Sequence, residues 1–126
     1  MPKLLLIYLV LSMHLTVFSQ AVNFSAAYQQ HPEIPRGFLE AISYTHTRFS
    51  PINPEESLSC SGMPLPFGIM GVFDHGNGYF IENAKRIESL SGINITTQKN
   101  SVMMQVEAYA SACTNLIQSY GVTGEN

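Results

Sequence analysis

The chain has no tryptophan, only two cysteines, and charged side chains at just 12% of its 126 positions. Lys and Arg total 6 against 9 Asp and Glu, too few cations for the basic footprint that nucleic acid or an anionic membrane surface requires, so both are excluded as partners. No Cys-x-x-Cys occurs, and His14, His31, His46 and His75 are scattered along the sequence. Zinc-ligand spacing is therefore absent, and neither a metal nor a cofactor is expected. Strand-type alternation is too weak to build a sheet, and no internal repeat is present. Beyond residue 20 no run approaches the roughly 20 apolar residues that cross a bilayer.

The one apolar run lies at the front. Lys3 gives a short positive segment, residues 4–17 an apolar core, and Ser19 a small residue at a cleavage point, so residues 1–19 read as a secretory signal peptide. Ser12 and His14 interrupt the run, which argues against a retained anchor. The expected product is secreted or periplasmic and leaves the membrane after cleavage. It loses Lys3 and so becomes slightly more acidic than the −3 of the full chain. Residues 20–121 suffice for one small domain, and residues 122–126 read as the start of a linker. In an exported chain Cys60 and Cys113 permit one disulfide, worth about 4 kcal/mol in the chain-entropy model. The alternative is two free thiols, with Cys113 on an apolar helical face.

The pattern predicts a mainly α domain of four or five helices with a long loop after the second. Residues 21–30 suit a short helix, broken by His31-Pro32-Glu33-Ile34-Pro35, and Pro35 can open the next one. In that second helix Leu39, Ile42, His46 and Phe49 recur at steps of three and four, which directs His46 inward or into a cleft. Residues 50–66 are rich in Pro, Ser, Asn and Gly and carry Glu55 and Glu56. Gly68 and Gly71 bracket a small apolar turn. A further helix spans about residues 79–91, with Gly92 as its stop. In the last helix Val102, Val106, Tyr109, Cys113, Leu116 and Tyr120 mark one apolar face of a central core helix ended by Gly121.

Three segments in order carry a resemblance: Ala41-Ile42-Ser43-Tyr44-Thr45-His46-Thr47, then Gly68-Ile69-Met70-Gly71, then Ala108-Tyr109-Ala110-Ser111-Ala112. They resemble the cleft signature of lysozyme-like lytic transglycosylases. With Pro35-Arg36-Gly37 and Ser59-Cys60-Ser61-Gly62 they look most like the lysozyme-like domain at the N-terminus of exported bacterial cell-wall amidases (N-acetylmuramoyl-L-alanine amidases). The resemblance covers roughly residues 21–120 and implies a lysozyme-like fold that binds peptidoglycan glycan strands, with a hydrolase domain downstream in a longer chain. It implies ligand contact at Gly68, Ile69, Met70, Gly71 and Tyr109. Gly68 to Gly71 also reads as a plain turn whose Ile69 and Met70 plug the core, and Tyr109 as a core residue.

Four positions depart from that family. His46 stands at the catalytic glutamate, Thr47 at the serine, Gly71 at the glutamine and Ala110 at the asparagine. Cleavage of a β-1,4 glycosidic bond needs a proton on the leaving oxygen while positive charge builds on the sugar ring. A raised-pKa carboxylic acid supplies it and leaves a stabilising anion. An imidazolium repels the same cation and leaves a neutral ring, so His46 is a poor substitute. Glu40, about 240° around the helix from His46, reads as a solvated surface charge.

Three functions are consistent with the sequence. The first is a catalytically weak or inactive glycan-binding module of a cell-wall hydrolase. The second is an active lytic transglycosylase or muramidase, a glycoside-cleaving enzyme whose acid is Glu55 or Glu56. The third is a structural or protein-binding exported helical domain. For His46 itself, a hydrogen-bonded core histidine, a groove-lining ligand contact and acid–base work all remain open.

Overall fold

Each helix starts and stops where local chemistry dictates. The computed structural model describes residues 22–53, 66–74 and 83–121. Within them lie five helices: α1 Ser25–Gln30, α2 Phe38–Thr47, α3 Asn83–Ser91, α4 Ile95–Asn100 and α5 Val102–Ser119. The described chain is mainly helical, and its extended pairing is limited to two isolated antiparallel bridges, Ile52 to Gly68 and Phe67 to Val72. No described helix is long and apolar enough to cross a membrane. The expected signal peptide and linker, the pair Glu55 and Glu56, and Cys60 lie outside the described residues.

The proline-rich break after α1 forms as the sequence predicts, but α2 begins later than Pro35. Gly37 adopts φ +88°, a left-handed conformation that cannot continue a helix, so the first helical residue is Phe38. The break is tied down by His31. Its Nδ1 lies 3.0 Å from Thr114 Oγ1 and its Nε2 2.8 Å from Glu107 Oε1, both on α5. Glu33 follows on the same segment. Its own backbone, then the Thr114 hydroxyl, hold its carboxyl below the ordinary 4.5.

α4 is an addition to the expected elements. Gly92 stops α3 in the left-handed region, with its N–H bonded to Glu88 O at 2.8 Å. The chain then restarts at once, because Asn94 Oδ1 accepts the Thr97 N–H at 2.8 Å as an N-cap. Ser101 repeats the device for α5, its hydroxyl accepting the Met104 N–H at 3.3 Å. At fewer than two turns, α4 is too short to show periodicity.

α5 is the central helix, packed by α3, α4 and α1, but its buried face is not the expected stripe. The buried residues are Gln105, Val106, Ala108, Ala110, Ala112 and Thr114, whereas Tyr109, Cys113 and Leu116 are half-buried and Tyr120 is 75% exposed. At about 100° per residue, Gln105, Ala108 and Ala112 form one arc and Val106, Ala110 and Thr114 another, with the large residues between them. Neighbours press closest where α5 presents alanine, and the bulky side chains fill the seams.

The same seams remain partly open. One apolar groove of about 300 Å³ is lined by Ile34, Pro35, Phe38, Cys113, Leu116 and Ile117. A smaller groove of about 120 Å³, between α3 and α5, includes Ile87, Leu90 and Tyr109.

Candidate functional site

The Phe67-to-Val72 turn is buried and hydrogen-bonded where it meets α2 and α5. Phe67, Ile69, Met70 and Val72 are all 0–1% exposed, and each such side chain contributes roughly 1.5–3 kcal/mol when fully buried. The turn is thus a plug driven into the core. Phe67 and Val72 exchange N–H···O bonds of 2.8 and 3.1 Å, and Gly68 and Gly71 supply the positive φ values of 66° and 62° that reverse the chain.

A plug with buried backbone needs partners for its peptide groups. Gln105 of α5, itself fully buried, provides two. Its Oε1 accepts the Met70 N–H at 3.0 Å and its Nε2 donates to Phe67 O at 3.1 Å. The amide lies so close over Gly68 that a Cβ there would stand 2.2 Å from Gln105 Oε1. From α2, the Thr47 hydroxyl lies 2.7 Å from Ile69 O and 2.9 Å from Ser43 O. Turn and helix are therefore locked from both sides.

His46 sits at the rim of this lock. Its side of α2 is not the buried one, which consists of Leu39, Ser43 and Thr47, and His46 is exposed. The inward orientation expected from the Leu39, Ile42, His46, Phe49 spacing does not occur: the turn is bonded through Ile69 to Thr47, on the face that buries Leu39, Ser43 and Thr47. Phe49 falls beyond the helix end and is 47% exposed. The reading of His46 as a core histidine is thereby overturned.

The imidazole nevertheless has a fixed pose. Nδ1 lies 3.0 Å from Met70 O, and because a carbonyl only accepts, Nδ1 carries the proton. Nε2 has no hydrogen-bond partner among the described residues and faces away from that anchor. Gly71 makes the approach feasible, since a Cβ there would stand 2.6 Å from His46 Cβ. A glycine, and not the family's glutamine, is what this histidine can pack upon.

The remaining expected ligand contacts are dispersed. Ile69 and Met70 are fully buried, so neither side chain is available to a sugar and the packing alternative for them holds. Tyr109 lines the groove between α3 and α5, whose walls include neither His46 nor any residue of the turn. Burial, followed by the nearby Cys113, raises the Tyr109 phenol above its ordinary 10.0. Ala110 is fully buried. Cys113 is a free, half-buried thiol raised above its ordinary 9.0 by burial.

Glu40 is a partner in a network and not a simple solvated charge. Its carboxylate accepts a short hydrogen bond from the Tyr28 hydroxyl, which also accepts the Leu39 N–H at 3.0 Å. Burial, then that carboxylate, raises the Tyr28 phenol above 10.0. Glu40 thus helps start α2 at the end opposite His46. Among the described residues, no group of three or more His, Cys, Asp and Glu side chains converges to hold a metal ion.

Hydrophobic patterning missed Gln105, because a polar residue on the central helix carries no weight in such a pattern. Comparison of the chain with family models, with curated proteins and with solved structures finds no match.

Proposed function

We propose that the chain is an exported lysozyme-like domain that engages peptidoglycan glycan strands with little or no power to cleave them. In this reading it is the glycan-binding module of a cell-wall hydrolase. The observation that carries it is the pose of His46, the residue at the resemblance's catalytic position: exposed at the end of α2, with Nδ1–H committed to the Met70 carbonyl.

In the neutral ring so anchored, Nε2 holds a lone pair. It can accept a hydrogen bond from a sugar hydroxyl or an N-acetyl N–H, which serves binding. It has no proton to give a leaving oxygen. Only the imidazolium has one, and its charge opposes the oxocarbenium ion that glycosidic cleavage builds. The junction that presents His46 is braced by Thr47 and Gln105, and such rigidity favours a fixed contact.

Sedimentation of the purified protein with insoluble peptidoglycan tests the reading. The protein is expected in the pellet, and His46→Ala is expected to shift a measurable fraction to the supernatant. Wild-type protein that stays in the supernatant at every sacculus concentration would contradict glycan engagement and leave a structural or protein-binding role.

A further inference from the structure

The side of α2 that faces away from His46 carries an unassigned surface. Tyr44 and Arg48 are four residues apart and therefore neighbours on the helix. Tyr44 is 49% and Phe49 47% exposed. Their ring centroids lie 5.6 Å apart at 48°, and Phe24 supports Phe49 from beneath at 6.4 Å. The Arg48 guanidinium lies over the Tyr44 ring, its Cζ 4.6 Å from the centroid.

The backbone that produces this surface is unusual. Arg48 and Phe49 occupy the left-handed region in succession, at φ 56° and 61°. Arg48 closes the helix by donating its N–H to Tyr44 O at 3.1 Å, a position that glycine ordinarily fills. Phe49 then takes a conformation that bulky side chains rarely adopt. The outcome is a ring returned onto Tyr44 and a cation set over the Tyr44 ring, on an exposed face. Strained backbone of this kind gathers at ligand-contact sites. On a chain with an acidic balance, Arg48 makes no ion pair among the described residues.

We infer that Tyr44, Arg48 and Phe49 form a binding site for a carboxylate-bearing sugar, the rings meeting the apolar face of the pyranose and Arg48 its acid group. The inference rests on the glycan-engaging function proposed above. Within peptidoglycan it selects the muramyl residue of strands stripped of their stem peptides, where the lactyl carboxyl is free and not tied up as an amide, over the neutral N-acetylglucosamine. Two exposed aromatic rings supply an apolar platform, and the planar guanidinium supplies the bidentate geometry that carboxylates favour. His46 lies about 200° from Tyr44 around α2, so the two contacts are separate and are tested separately.

The test compares a soluble muramyl-containing glycan free of stem peptides with a chitin oligosaccharide of the same length by calorimetry, with sacculus pelleting as the separate readout of glycan engagement. Wild-type protein is expected to prefer the acidic glycan by about tenfold, less at high salt. Arg48→Gln is expected to abolish that preference while leaving the chitin affinity within about twofold. Tyr44→Ala and Phe49→Ala are expected to weaken both ligands at least fivefold, and far-UV circular dichroism checks that each variant is folded. If wild-type protein pellets with sacculi but shows no preference, or if Arg48→Gln and folded Tyr44→Ala bind as wild type does, this site is refuted while glycan engagement stands. If wild-type protein binds neither ligand and does not pellet, both fall.

Discussion

Replacement of Gln105 by leucine keeps a branched side chain, one carbon shorter, and removes both hydrogen bonds to the turn. The Met70 N–H, bonded at 3.0 Å, would then be left unsatisfied beside fully buried residues, while the Phe67 carbonyl would lose its 3.1 Å bond from Gln105 and keep the one from the Val72 N–H. One buried polar group without a partner costs about 1–3 kcal/mol and one further lost hydrogen bond about 0.5–1.5 kcal/mol, so the change destabilises by roughly 1.5–4.5 kcal/mol. Better burial of leucine recovers a part of this, and about 2 kcal/mol is expected. Against the 5–15 kcal/mol typical of a domain, that is a large fraction.

Urea unfolding followed by far-UV circular dichroism measures it, since the chain has no tryptophan to report by fluorescence. The midpoint should fall with an unchanged slope, because the same surface is exposed on unfolding. Gln105→Glu keeps an acceptor for Met70 but has no donor for Phe67 and buries a carboxylate, so it should be no more stable than the leucine variant. A Gln105→Leu protein within about 0.5 kcal/mol of wild type would refute the claim that this amide holds the turn.

Two further outcomes are expected. Ser43 is fully buried and its hydroxyl has no hydrogen-bond partner among the described residues, so Ser43→Ala should stabilise the protein by about 1 kcal/mol in the same urea assay; a loss of more than 1 kcal/mol would mean that the hydroxyl is bonded. The raised Cys113, Tyr28 and Tyr109 groups hold their protons more tightly folded than unfolded. Their contribution is therefore complete below the ordinary values of 9.0 and 10.0 and is lost as pH rises through the higher folded values. The melting temperature should fall from about pH 9 upward, and Cys113→Ala with Tyr109→Phe should flatten that fall. An unchanged alkaline slope in the double variant would show that other groups carry it.

The elements marked by glycine and proline were legible in the sequence, because backbone chemistry alone decides them. Gly92 and Gly121 both take positive φ at helix ends, and Gly68 and Gly71 reverse the turn. α4 was missed for want of length, although Asn94 and Ser101, each in position to cap the third residue after it, were the available signal. The face of α5 was misread because periodicity weighs large apolar residues, whereas a helix packed on several sides buries its alanines most completely. His46 was misdirected for a related reason. Spacing placed it with Leu39 and Ile42, but the boundary of the buried face was drawn by Ser43 and Thr47, and Thr47 bonds to Ile69 of the turn, 22 residues further on. No local pattern encodes such a partner.

The central claim is that the anchored imidazole of His46 contacts glycan and does not cleave it. Release of soluble muropeptides from purified sacculi by wild-type protein, followed from about pH 5 to about pH 8 across the range where histidine changes charge, tests it most directly. The account predicts no release above the buffer control at any pH, while the protein remains bound to the pellet. Efficient release, whether lost or kept on His46→Ala substitution, would contradict it.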